Sequence, residues 1–265
     1  MTNDIQDIHD VTLLIKTFER HRCLLRLVRS IRKYYPEVRM IIVDDSRNPG
    51  IIEDKYIDYH ILPFNRGISY GRNYGLRHIK TKYFLLLDDD YVFTPETDLE
   101  KFLTLYQKHN LDILAGRWIQ NGITRHFEYR LLRQDDILHY IPKPKAKLDD
   151  HVFLYDIVNN FWVAETSRII SAGGWDERLK LEEHTDFFLK LQSMNWRIGY
   201  CPDLTVRHQP KRYKNYMIYR NDPGYTKVFN EKHGIRQRIF DHDRSPSVLK
   251  KYATILLDYL ARQLT

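Results

Sequence analysis

Cysteine is scarce in this 265-residue chain: Cys23 and Cys201 are the only two, and they lie far apart. That excludes a disulfide framework and leaves two buried free thiols in a reducing compartment as the expectation. Long apolar runs are also missing. The first, residues 11–15, is broken by Lys16, and none approaches the ~18 residues that cross a bilayer. The first ten residues are mostly polar and acidic, so no signal peptide is visible. A general charge surplus is absent as well. The net charge of +7 comes from residues 211–265, which hold twelve Lys/Arg against five Asp/Glu, while the rest balances. Such a tail suits an anionic membrane surface or is simply a solvated basic face. No nucleic-acid reader motif accompanies it, and nucleic acid is not expected as a partner.

What remains is an ordinary globular composition, 43% hydrophobic and 29% charged. Short apolar segments at 11–16, 39–44, 59–62, 83–87 and 113–118 alternate with amphipathic segments at 19–35, 69–80 and 97–109. That alternation predicts βαβ units around a mainly parallel sheet, an α/β fold of Rossmann-like type. The second half is less regular. Strands are expected within 124–132, a loop at 143–147, a core segment at 156–165 and a tight turn at Gly173-Gly174-Trp175. A helix is expected at 183–193, a strand at 196–201 ending at Pro202, and a last helix near 247–263. In open α/β sheets ligands bind beyond the carboxyl ends of the strands. Thr17-Phe18-Glu19-Arg20, Asp44-Asp45 and Asp88-Asp89-Asp90 all stand just past such ends, so they should converge on one edge.

Three adjacent carboxylates repel one another unless a cation neutralises them. Magnesium and manganese take such hard oxygen ligands together with substrate phosphates. A solvated acidic loop is the plain alternative for Asp88–Asp90, and the strand context favours the metal–diphosphate reading. Asp45 can accept from an imide N–H or ribose hydroxyls, or cap a turn. Arg66 and Arg72 flank a helix start, where a planar guanidinium and the helix dipole suit phosphate, or where surface salt bridges form. His208 is a borderline ligand for manganese or zinc, or a satisfied polar group. Glu182-Glu183-His184-Thr185-Asp186 opens a helix, where acidic residues are expected from the dipole alone. The functional reading is a general base, His184 by its intrinsic pKa or Glu183 if desolvated.

In chain order, Thr17–Arg20, IIVDDS at 41–46, NRGISYGRN at 65–73, LLLDDDYVF at 85–93 and WDERLKLEEHTDFFLKL at 175–191 resemble an inverting glycosyltransferase of the GT-A fold. More narrowly, IKTF (15–18), KYFLLLDDDYVF (82–93) and DIVNNFWVA (156–164) resemble the ganglioside-type β-1,4-N-acetylgalactosaminyltransferases. The resemblance covers about residues 11–210. It implies a UDP-sugar donor, Mn2+ (or Mg2+), and inversion onto a glycan or glycolipid acceptor. By position, Asp90, Asp88 and His208 would meet the metal. Thr17, Phe18, Arg20, Asp45, Arg66, Arg72, Asp88 and Asp89 would meet the nucleotide-sugar. Trp175 and Asn160 would meet the acceptor, although core packing serves Trp175 equally well. A histidine stands where the catalytic aspartate of the fold is usual, so Glu183, His184 and Asp186 all stay open as the base.

The implied organisation is a catalytic domain over 1–210, with a nucleotide-binding half (1–118) and an acceptor-binding half (119–210). A basic helical tail over 211–265 would serve membrane contact or homodimer formation. Animal members are tethered in the Golgi, whereas this chain meets its first strand within ten residues, so a cytoplasmic enzyme, peripheral to a membrane, is expected. Two rivals share the architecture. A catalytically inactive sugar-nucleotide- or glycan-binding protein would bind UDP and release none. A nucleotidyltransferase would carry a glycine-rich loop after the first strand, where this chain has Thr17-Phe18-Glu19-Arg20 and no glycine.

Overall fold

A computed structural model describes residues 8–149, 151–211, 213–220 and 222–241. After a single 3-10 turn (Ile8–Asp10), strand β1 (Val11–Thr17) is buried at every position. Its apolar stretch Leu13–Ile15 follows from cover on both faces, and the buried Lys16 and Thr17 find polar partners at the strand end. Helix α1 (His21–Tyr34) buries Cys23, Leu24, Leu27, Val28 and Ile31 as one stripe and stops ahead of Pro36. Strands β2 (Arg39–Asp44) and β3 (Ile57–Ile61), helix α2 (Ile68–His78) and strand β4 (Tyr83–Asp88) complete the first half. All pairings here are parallel, in the order β3-β2-β1-β4. The register sets Thr17 beside Asp44 and Lys16 beside Asp88, so the polar strand ends share one edge.

The second half begins with β5 (Tyr91–Val92) and α3 (Leu99–Lys108), which is capped by Asp98 accepting from the Lys101 N–H at 2.9 Å. Strands β6 (Ile113–Gln120), β7 (Ile123–Arg125), β8 (Arg130–Gln134), β9 (Ile137–Ile141), β10 (Ala146–Lys147), β11 (Phe153–Tyr155) and β12 (Trp162–Glu165) follow. Helices α4 (Thr166–Ser171) and α5 (Glu183–Ser193), strand β13 (Ile198–His208), helices α6 (Lys214–Met217) and α7 (Pro223–His233) and strand β14 (Gln237–Phe240) complete the order. The main sheet runs β10-β11-β13-β6-β12-β4-β1-β2-β3. Strand β12 enters antiparallel between β4 and β6, so the α/β sheet is parallel in its first half and mixed beyond it. One face is covered by α1 and α3 and the other by α2, α4 and α5, each over its own hydrophobic cluster.

Strand β13 is longer than expected. It passes Pro202 through a register shift between Cys201 and Thr205, where a bulge tolerates the missing N–H. The extension carries His208 to a position opposite Tyr91 on β5, beside the acidic triplet. Within residues 211–241, expected as part of a tail, α7 buries Phe229, and β14 pairs in parallel with β9 in a small sheet β14-β9-β8. The helix expected near 247–263 lies outside the described residues. Both cysteines are free and buried. Among the described residues no helix is long and apolar enough to cross a membrane.

Candidate functional site

The strand ends bring the polar clusters together, and the three aspartates find three different surroundings. Asp89 is wholly buried, accepts from Thr17 Oγ1 at 2.7 Å and pairs with Arg20. Burial, only partly offset by Arg20, pushes its carboxyl up to about 6. Asp90 accepts from Arg20 Nη1 at 2.8 Å, and its other oxygen lies 3.4 Å from His208 Nε2. Asp88 turns aside and accepts from Arg72 Nη2 at 3.2 Å and from Asn160 Nδ2 at 3.2 Å. The repulsion expected within the triplet is thus relieved by two arginines brought in from other elements.

His208 is oriented from behind. Its Nδ1 lies 3.2 Å from Gln120 Oε1, and its ring stacks on Trp118 at 4.6 Å. An amide oxygen only accepts, so Nδ1 donates to Gln120 and Nε2 faces Asp90. Among the described residues no three His, Cys, Asp or Glu side chains are grouped to hold an ion unaided. A carboxylate and an imidazole facing one another fit an Mn2+ or Mg2+ ion whose remaining ligands are diphosphate oxygens and water.

Beside this pair lies a cleft lined by Lys16, Phe18, Arg20, Asp45, Gly67 and residues of the segment 213–220, with a volume of about 60 Å³. Asp45 is committed within the protein: it pairs with Lys16 and accepts from the Gly67 N–H at 2.7 Å. That bond fixes the loop before α2, where Gly67 adopts φ 99° and a Cβ would run into Lys180. Asp44 is likewise held, by the Ser46 N–H at 2.8 Å and Tyr59 OH at 2.7 Å. Tyr219 sits against Phe18 at 5.2 Å and Phe64 at 5.7 Å, and Tyr216 lies 4.2 Å from the Arg20 guanidinium. Arg66, expected at phosphate, is exposed and lies over the Tyr70 ring at 4.2 Å.

The cluster opening α5 also diverges. Glu182 adopts φ 68° and accepts from Thr226 Oγ1 at 2.9 Å and Arg238 Nη1 at 2.6 Å, facing α7 and β14. Glu183 is buried against Arg72 Nη1 at 3.3 Å, and burial raises its pKa against the pull of that arginine. His184 lies between Phe127 and Phe188, each ring 5.1 Å away, and burial followed by Arg72 depresses it to about 3. Asp186 accepts from His233 Nε2 at 2.7 Å and Lys232 Nζ at 2.6 Å; these outweigh burial and hold its pKa low.

Arg72, 1% exposed, therefore bridges Asp88 and Glu183. It lies 5.5 Å from the Trp175 ring, which stacks on Phe187 at 4.7 Å and is only 3% exposed. Asn73 grips Trp175 by its backbone, accepting from the N–H at 2.8 Å and donating to the carbonyl at 2.8 Å. Trp175 thus floors Arg72 and presents no free face on which an acceptor sugar could stack; core packing, the alternative weighed from the sequence, is where it sits. Asn160 stands on the Asp88 carboxylate.

Residues 12–163 match the sequence model of glycosyl transferase family 2. The chain belongs to glycosyl transferase family 2. Among relatives of this family 2 chain, β-1,4 N-acetylgalactosaminyltransferase 2 of Mus musculus is 33% identical over 201 residues, covering 75% of this chain and 39% of that protein. β-1,4 N-acetylgalactosaminyltransferase 1 of Homo sapiens is 34% identical over 217 residues, covering 76% and 39%. The chain thus spans about two fifths of the length of these curated relatives. Among solved structures, S. aureus TarS 1–349 in complex with UDP-GlcNAc superposes with TM-score 0.60 at 16% identity, over 83% of this chain and 64% of that one. GalNAc-T7 with UDP, GalNAc and Mn2+ superposes with TM-score 0.59 at 14% identity, over 86% and 55%. At such identities the likeness concerns the fold, and it is the expected GT-A fold. Several contributors to the candidate site went unseen in the sequence, among them Lys16, Phe64, Trp118, Gln120, Tyr216 and Tyr219. Strand parity alone placed Trp118 and Gln120 on the same face as His208, and only once β6 was known to pair with β13.

Proposed function

We propose that this chain moves a sugar from a UDP-sugar to a hydroxyl of a glycan or glycolipid acceptor, with a divalent metal and with inversion. N-acetylgalactosamine is the favoured sugar, because both β-1,4 N-acetylgalactosaminyltransferases match over three quarters of the chain. One observation carries the reading: Asp90, His208, Arg20, Arg72 and Glu183 converge at the carboxyl edge of one sheet.

Asp90 and His208 would hold Mn2+ or Mg2+, which when bound supplies charge neutralisation for the departing diphosphate. Arg20 and Arg72 provide fixed positive charge on either side of that position. Glu183 is the base. Desolvation raises its proton affinity, and Arg72 ties it to Asp88, one bridge away from the donor side. It takes the proton of the acceptor hydroxyl; that oxygen bonds to the anomeric carbon as the bond to UDP breaks, and attack from the opposite face inverts the configuration. His184 is neutral from pH 5 to 8 and too weakly basic for the task, and Asp186 is locked by Lys232 and His233.

The test is a UDP-release screen over several UDP-sugars and glycan acceptors, with manganese present or chelated. Release with UDP-GalNAc, lost on chelation, is expected. Tight UDP binding with no release under any pairing would remove the catalytic reading and leave a binding protein.

A further inference from the structure

Among the described residues a second cavity lies apart from the cleft beside the acidic triplet. It is a groove of about 900 Å³ on the other side of the β6–β13 pair, walled by Thr94, Arg117, Gln120, Thr205, Arg207 and Lys211 among others. Parity explains its placement. Trp118 and His208 point to the metal side, whereas Arg117 and Ile119 on β6 and Thr205 and Arg207 on β13 point to the other. Gln120, at the end of β6, belongs to both: it orients His208 and closes one end of the groove.

The charge in this groove is not balanced from within. The side chains of Arg117, Arg207 and Lys211 make no ion pair and no hydrogen bond among the described residues, and Arg117 Nε is a buried donor without a partner. Two acids share the rim. Asp203 is already held by His151 at 2.7 Å and Lys101 at 3.3 Å, and Glu96 alone faces Arg207. Two guanidiniums and an ammonium around one cavity match a multiply charged tetrahedral oxyanion better than a single carboxylate, because each planar fork meets two oxygens at once. The neighbouring Thr94, Gln120, Asn121 and Gln209 side chains add neutral hydrogen-bonding groups for whatever carries the anion. A volume of this size accepts a small phosphorylated group in full.

We infer that this groove is a phosphate-binding site, separate from the donor cleft and back to back with the metal position. Its ligand is a phosphate ester, presented as a lipid headgroup or free in solution.

Two arms test this on the full chain, comparing the wild type with R117Q/R207Q and with K211E, each checked for an unchanged melting profile. In the first, inorganic phosphate is titrated calorimetrically with and without saturating UDP. Wild-type binding that persists under UDP and weakens about tenfold in R117Q/R207Q, with UDP affinity unaltered, is expected from loss of two charge-assisted contacts. In the second, the proteins are sedimented with vesicles of phosphatidylcholine, with and without phosphatidylglycerol. Because the basic residues beyond 211 remain in R117Q/R207Q, only the difference between wild type and that variant reports on the groove. A loss confined to phosphatidylglycerol vesicles identifies a headgroup as the source; loss of phosphate binding alone identifies a free ester. Phosphate and vesicle binding both unchanged in R117Q/R207Q and K211E, or phosphate binding abolished by UDP, overturns the site. None of these outcomes depends on sugar transfer, so a failed transfer assay leaves them readable.

Discussion

Two runs of adjacent ionisable residues face each other across Arg72, and they behave alike for different reasons. Asp88, Asp89 and Asp90 leave a strand, where successive side chains point to opposite faces; Arg72, Thr17 with Arg20, and Arg20 with His208 receive them in turn. Glu183, His184 and Asp186 leave a helix, where neighbours fan out by about 100° each, and they meet Arg72, two phenylalanines and α7. Adjacency in sequence therefore says that charge is concentrated, not that it acts on one target. On the proposed mechanism one residue in each run serves the centre most directly, Asp90 in the first and Glu183 in the second, while the others anchor it.

The sharpest way to break this division is Glu183→Gln. It should lower kcat by roughly 10²–10⁴-fold with little change in donor KM, because the amide cannot take a proton. The same assignment fixes a pH limb. Glu183 works ionised and its pKa is raised, so kcat should fall with falling pH, with a midpoint above the ordinary glutamate value of about 4.3. A limb that persists in Glu183→Gln would transfer the role elsewhere. Asp90→Asn should cost about 10²–10³-fold in kcat/KM, read at saturating manganese. Gln120→Leu tests the orientation of His208: manganese affinity, followed by electron paramagnetic resonance, should weaken roughly 10–100-fold while UDP-free thermal stability changes little.

Asp186→Asn should do the reverse, leaving turnover within a few-fold and removing about 2 kcal/mol from urea unfolding at pH 7. Its folded pKa is depressed, so this contribution is present above the unfolded value of about 3.9 and disappears as pH falls through the folded one. The penalty should therefore shrink in acid. A loss of kcat matching Glu183→Gln would merge the two residues into one catalytic unit.

The legible parts of the sequence are those where a single local rule dominates. Strand β2 and helix α5 begin and end where their apolar patterns do, because a buried strand needs an unbroken run and α5 alternates acidic and aromatic faces. The convergence of Thr17 and Arg20 with Asp88–Asp90 was also readable, since both clusters follow strand ends, whereas Arg72 and His208 were expected there only through the family resemblance. What was hidden depends on partners distant in sequence. Pro202 reads as a stop and is instead absorbed by a bulge. Strand β14 is a strand because β9 offers an edge, not because its own pattern is strong. Trp175 beside two glycines looks like a platform until Phe187 and Arg72 are found on its ring.

The segment 213–220 has a thermodynamic consequence. A nucleotide needs several hundred cubic ångströms, and Tyr216, Tyr219 and Arg220 leave about 60 Å³ in the cleft they border. If the proposed donor enters here, Tyr216 and Tyr219 leave Arg20, Phe18 and Phe64, and the observed affinity becomes the intrinsic one multiplied by the fraction of molecules already open. Trimming Tyr219 to alanine thus removes a competitor rather than a contact, and on this account a smaller side chain grips the donor harder.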